Sequence, residues 1–300
     1  MSAAHRPLAD HGRFDYVPIT RRQQAPWPGG KRLAVYLGFN LEHFAFGEGL
    51  GARLAPAAQG GPDVLNHAWR EYGNRVGAWR CLDLFEQLKL PAGVILNTAL
   101  YDHCPELVAA FAARGDELIG HGHTNAESQG GMTPEDEGAL IEACAARIAQ
   151  VSGQRPTGWL SPWIAESAAT PDLLARAGYR YTLNWCHDDQ PTTLRTAHGP
   201  LCAVPYPQEL NDIPMIVARQ MTGPDFADMI VDQFDEMREQ AQAQPLVMGI
   251  ALHPYLVGQP HRLRHLRRAL NHIVQCSQDG PQDVWWTTPG RICEAVASAG

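Results

Sequence analysis

The chain has almost no lysine. Only Lys31 and Lys89 occur among its 24 basic residues, and arginine supplies the rest. That skew reads as genome composition rather than function. Positive charge is also short overall: 32 acidic residues leave a net charge of −8, which argues against a nucleic-acid partner, since phosphate binding needs a basic surface. Cysteine is sparse and unpatterned. The seven (Cys81, Cys104, Cys144, Cys186, Cys202, Cys276 and Cys293) are odd in number and never in CxxC spacing. A disulfide framework or structural zinc cluster is not expected, and a reducing compartment is. No apolar run approaches the roughly 18 residues of a membrane span, so no membrane partner is expected. The opening MSAAHRPLADHGRFDYVPIT has no apolar core of a signal peptide. A cytoplasmic location is the expectation. Internal repeats, low-complexity tracts and interdomain linkers are missing too, which predicts one domain over 1–300 with 1–31 as an N-terminal extension.

What is present is an ordinary apolar content, 45%, in 300 residues, enough for a large core. Residues 1–31 are polar and end in the turn cluster Pro26-Trp27-Pro28-Gly29-Gly30. Leu33–Phe39 then reads as a first core strand, and a glycine-rich stretch from Gly47 to Gly61 reads as a long loop near the site. Helical spacing runs from Asn66 to Leu88. Strands are predicted at Gly93–Leu96, Glu117–His121, Gly158–Leu160, Tyr179–Leu183, Ala203–Tyr206, Met215–Val217 and Val247–Leu252. Helices are predicted at Cys104–Arg114, Pro134–Val151, Pro171–Ala177, Asp225–Ala243, His261–Cys276 and Pro289–Ala297. Thr133, with Pro134 and acids behind it, is a strong helix start. Strand–helix alternation of this kind predicts an α/β fold with a parallel sheet: a single distorted (β/α) barrel of seven or eight parallel strands.

In such a barrel, chemistry sits where strands end. The first strand runs into Asn40-Leu41-Glu42-His43, the third into His121-Gly122-His123-Thr124-Asn125. Later ones run into Ser161-Pro162-Trp163, Asn184-Trp185-Cys186-His187-Asp188-Asp189 and His253-Pro254. Taken alone, Glu42 is more often a solvated loop acid than a functional one. His121 and His123, two apart, would point to the same side of an extended segment. Of the tryptophans, Trp163 and Trp185 follow strand ends and are expected as pocket walls, while Trp159, Trp285 and Trp286 are expected to fill core. Asp188 and Asp189 could anchor a substrate or cap a loop. Asn211-Asp212 and Arg262 fall in loops and carry no assigned role. The arginine-dense run from Arg262 to Arg268 reads as a solvated helix face.

The segments WPGGKRLAVYLGFNLE, GDELIGHGHTN, RPTGWLSPW and IALHPYLVGQPHR, in that order, resemble the polysaccharide deacetylase superfamily over about residues 25 to 295. The likeness is greatest to its allantoinase and cyclic-imide-hydrolase branch. In metal-using members the first motif supplies a base and a metal ligand, positions that fall on Asn40 and Glu42. The second motif supplies two histidines, positions that fall on His121 and Asn125. Asn40 and Asn125 depart from the metal-dependent pattern, because an amide is no base and a poor zinc ligand. The allantoinase-like branch departs at the same places.

The resemblance therefore implies hydrolysis of a small cyclic ureide or imide with no tightly bound metal. Its alternatives are a zinc-dependent deacetylase of a small N-acetylated or carbohydrate substrate, or a catalytically silent ligand-binding relative. It implies Glu42 as general base or water positioner, His121 as water-orienting or carbonyl-polarising group and His253 as acid. Asn40 and Asn125 would donate to substrate, with His123, Trp163 and Trp185 lining its site. Any metal would take Glu42 and His121 with Asn125 or His123. A small-molecule substrate and a homo-oligomer are also implied.

Overall fold

The computed structural model describes residues 9–57, 61–279 and 282–299. Residues 1–8 of the expected N-terminal extension and residues 58–60 of the glycine-rich loop lie outside the described residues. Nine strands form one curled sheet: β1 (Leu33–Leu41), β2 (Ala92–Leu96), β3 (Glu117–Gly120), β4 (Gly158–Trp159), β5 (Tyr181–Thr182), β6 (Thr192–Leu194), β7 (Leu201–Ala203), β8 (Leu246–Leu252) and β9 (Val284–Thr287). The order is β6-β7-β5-β4-β3-β2-β1-β8, and only β6 runs antiparallel to its neighbour. One flank of β1 is shared, its first half pairing β9 and its second half β2. Between β7 and β8 the wall is irregular. There Ala251 N donates to Leu210 O, and a single bridge links Asn211 to Ala251. This gap is what distorts the barrel.

Ten helices connect the strands: α1 (Val64–Tyr72), α2 (Ala78–Leu88), α3 (Leu100–His103), α4 (Pro105–Ala113), α5 (Pro134–Ser152), α6 (Thr170–Arg176), α7 (Gly223–Gln240), α8 (Pro254–Val257), α9 (Pro260–Asp279) and α10 (Pro289–Ala299). Thr133 caps α5 as expected, its side chain accepting from Asp136 N. A π-helical turn, Gly73–Gly77, joins α1 to α2 and brings the backbone close to α8. A Cβ on Gly77 would lie 2.1 Å from Pro254 O, so only glycine fits there.

Strand parity positions the site. In β1 the odd residues, Leu33 to Leu41, pack in the core shared with the helices, whereas Ala34 and Tyr36 belong to the barrel interior. In β8, Met248, Ile250 and Leu252 face the helices, and Val247 and Ala251 face inward. Side chains alternate across a strand, so Asn40 and Glu42 continue the inner row of β1. His253 continues that of β8, and His121 continues that of β3 after Ile119. Each fully buried Leu or Phe contributes roughly 1.5–3 kcal/mol, and this apolar lining carries the polar rim above it.

Three expectations need correction. Met215–Val217 is no strand but lies in a π-helical turn, Ile213–Ala218. A three-residue apolar run does not distinguish strand from helix, and Pro214 suits a first turn. The strand expected at Ala203–Tyr206 ends at Ala203, and Val204 and Tyr206 line the interior as irregular backbone. Strands β6 and β9 were not expected, although Val284-Trp285-Trp286-Thr287 has the aromatic and β-branched content of one.

Candidate active site

Glu42, one residue beyond β1, is 6% exposed yet carries a carboxylate. Its Oε1 lies 3.5 Å from His121 Nε2 and 3.5 Å from His253 Nε2. Its Oε2 accepts from Tyr255 Oη at 3.3 Å. Its backbone carbonyl accepts from Asn74 Nδ2 in the π turn at 2.8 Å. Asn97, which follows β2, joins the neighbouring loops: its Oδ1 accepts from His43 N at 2.9 Å, and its Nδ2 donates to His121 O.

The two imidazoles differ. His121 Nδ1 lies 2.7 Å from Leu160 O. A carbonyl only accepts, so Nδ1 carries a proton, and in the neutral ring Nε2 presents a lone pair to the site. His253 is held by Asp212, whose Oδ1 is 2.6 Å from Nδ1 and whose Oδ2 accepts from His253 N at 2.7 Å. Burial opposes the His253 imidazolium, but the carboxylates of Asp212 and Glu42 outweigh it and raise the group to about 10. Burial likewise opposes the Glu42 anion. The charge on His253, with the two imidazoles that face the carboxylate, outweighs that and holds it down at about 2. Asp212 stays above the usual carboxylate range because it is fully enclosed and faces Glu42, in spite of its bond to His253. Both carboxylates thus favour the charged form of His253, whose Nε2 faces Glu42.

The structure thus brings Glu42, His121 and His253 together and sets Asn40 beneath them. Asn40 does not serve as the expected donor to substrate. Its Nδ2 donates to Tyr206 Oη at 3.0 Å and to Leu252 O at 3.2 Å, so both hydrogens are engaged. Asn125 is buried, and its Oδ1 has no hydrogen-bond partner among the described residues, so the amide has free capacity toward the site. Trp163 stands beside it at φ +62°, half exposed, its Nε1 donating to Asn125 O at 2.8 Å.

Two expected site residues lie elsewhere. The same-side placement of His121 and His123 fails because Gly122 takes a left-handed φ of +70° between them. His123 is exposed, with Nδ1 3.2 Å from Thr98 Oγ1, and makes no ion pair with Glu42. Trp185 packs against Phe14, His11 and His187 of the N-terminal and β5–β6 segments. Asp188 pairs with Arg22 at 2.5 Å, a structural role. Asp212, Tyr206 and Tyr255 are the participants that sequence reasoning left without a role. Asp212 sits in a loop with no motif, and only its depth beside β8 reveals it.

The donor set fits a catalytic zinc poorly. Glu42 and His121 are two strong donors, but His253 is held by Asp212, and Asn125 offers an amide, a poor zinc ligand, where metal-using members of the resembled family have histidine. Catalytic zinc normally takes three strong ligands. No step below passes through a metal.

A buried carboxylate between two imidazoles, on the strand ends of a parallel barrel, is the equipment of an acid–base hydrolase. Residues 71–182 match the family model of polysaccharide deacetylase. A Schizosaccharomyces pombe protein, named provisionally as a polysaccharide deacetylase, is 28% identical over 90% of this chain and 92% of its own. The probable polysaccharide deacetylase of Pseudomonas aeruginosa shares 26% identity over 91% of this chain and 93% of its own, with a TM-score of 0.80. PuuE allantoinase also superposes with a TM-score of 0.80, at 24% identity over 95% of this chain and 97% of its own, a likeness of fold. A polysaccharide deacetylase domain thus spans residues 71–182, the likeness to its relatives runs over most of the chain, and members of that family are hydrolases of carbon–nitrogen bonds other than peptide bonds.

Proposed function

We propose that the chain opens a small cyclic amide, a ureide or imide of the allantoin or succinimide type, by water attack without a catalytic metal. The observation that carries this reading is the state of Asn40. It stands where the deacetylase base is expected, yet its amide is fully used in holding Tyr206 and Leu252. Glu42 is left as the carboxylate of the site.

Water bound between Glu42 and the His121 Nε2 lone pair attacks the ring carbonyl carbon and gives one proton to Glu42 Oε1. The tetrahedral adduct collapses as the ring C–N bond breaks, and the departing nitrogen takes the Nε2 proton of His253. The product is an open chain with a new carboxyl group, which loses its proton to solvent. Glu42 returns its proton to His253, the two atoms being 3.5 Å apart, and both groups are reset. Contacts of this length tighten when substrate binds. The free Asn125 Oδ1 suits a ring N–H, and the indole of Trp163 suits a flat ring. A small metabolite also accords with the expected cytoplasmic location.

The second reading, deacetylation of an N-acetylated substrate, is favoured by relatives named for it, among them the peptidoglycan deacetylase of Helicobacter pylori, 23% identical over 74% of this chain. Purified protein assayed on a panel of cyclic ureides, cyclic imides and chitin or peptidoglycan fragments separates the two. Ring opening of at least one cyclic amide is expected. Acetate release with no ring opening would falsify the proposal, and no turnover at all would leave a silent relative.

A further inference from the structure

Beyond the Glu42 cluster, two groups among the described residues place three metal-ligating side chains with their ligand atoms within 4.8 Å of one another: His43–Glu71–His103 and Asp235–His272–Cys276. In the second, His272 Nε2 is already 2.8 Å from Asp235 Oδ1 and 3.7 Å from Cys276 Sγ, an ordinary helix-surface arrangement. The first is different. His103 Nε2 and Glu71 Oε2 are 2.9 Å apart, while the His43 ring packs against that of His103 at a tilt of 51°, with centroids 4.4 Å apart. His43 Nδ1 is buried with no hydrogen-bond partner. A simple His103–Glu71 ion pair would leave this third imidazole unemployed, and two imidazoles this close repel one another when both are protonated.

We infer that His43, Glu71 and His103 form a binding site for a divalent transition-metal ion of borderline softness, such as zinc, at the rim of the barrel. Two imidazoles and one carboxylate are a ligand set that such ions take readily, with water completing the shell. The three ligand atoms lie within 4.8 Å of one another, so modest side-chain adjustment brings them to the roughly 3.3–3.4 Å edges of a tetrahedral shell with bonds of about 2.0–2.1 Å. The three ligands come from three segments: the loop after β1, the last turn of α1 and the end of α3. An ion there ties together the backbone that flanks Glu42, yet touches neither Glu42 nor His121. It is a site of attachment, separate from the metal-free reaction.

The test is zinc binding by the full chain after chelator treatment, followed by calorimetry and by metal content after gel filtration. One equivalent is expected in the wild type, with affinity at least tenfold lower in His103→Ala and in Glu71→Gln. His103 is exposed and Glu71 half-buried, and melting temperatures check that the variants fold. His121→Ala and His272→Ala should bind zinc as the wild type does. The inference is overturned by unchanged binding in His103→Ala and Glu71→Gln, by loss of binding in His121→Ala or His272→Ala, or by no saturable zinc binding in the micromolar range.

Discussion

At the scale of single residues, the proposed reaction turns on the charge state of His253. Its raised value means that the imidazolium persists as pH rises and is lost only through about 10. A rate that needs this acid should hold through neutral pH and fall above that value. Asp212 is the strongest group raising it, so Asp212→Asn should move the alkaline limb of kcat/KM toward lower pH. The rate itself should drop on the order of a hundredfold or more, since an imidazole that loses its carboxylate also loses its orientation. An alkaline limb that stays in place in Asp212→Asn contradicts the assignment. The same linkage acts on stability. The contribution of His253 is complete below the ordinary imidazole value of 6.5 and disappears as pH rises through about 10. That of Glu42 is complete above 4.5 and disappears as pH falls toward about 2. Thermal melting should therefore weaken at both extremes, and Glu42→Gln should remove most of the acid-side weakening. His123→Ala, by contrast, should keep activity within a few-fold, because that side chain is exposed beside Thr98 and outside the cluster.

At the scale of elements, precision comes from the contacts behind the site. The π turn holds the Glu42 carbonyl through Asn74 and lies against the turn that presents His253. Gly77→Ala places a methyl group into the Pro254 carbonyl, and the strain, typically about 1–3 kcal/mol, should lower the melting temperature and kcat together. A variant with wild-type melting and rate would show that this contact is slack. The elements most legible in the sequence were those with strong local signals. The cap at Thr133, the long amphipathic helices and the two apolar strands β1 and β8 all fall within a few residues of their expected bounds. Short elements were not legible. The run Met215–Val217 reads equally well in either conformation, and β6 gains its identity from pairing with β7, a partner chosen by the tertiary fold.

At the scale of the whole molecule, the barrel and the convergence of Glu42, His121 and His253 follow from the alternation of strands and helices, with polar residues at strand ends. The role of Asp212 does not, because no local pattern says that a loop after β7 will thread beside β8 and bury a carboxylate. Nor does the separation of His121 from His123, which turns on one left-handed glycine. Among the described residues no helix is long and apolar enough to cross a membrane. The remaining claim, on which the account as a whole rests, is that the Glu42 carboxylate and its two imidazoles do the work of a metal. The direct measurement is turnover of a cyclic amide by exhaustively chelated protein, compared among wild type, Glu42→Gln, His121→Ala and His123→Ala. The account predicts full wild-type activity after chelation, loss of most activity in the first two variants and little change in the third. Loss of activity on chelation, restored by zinc and abolished by His123→Ala, would contradict it.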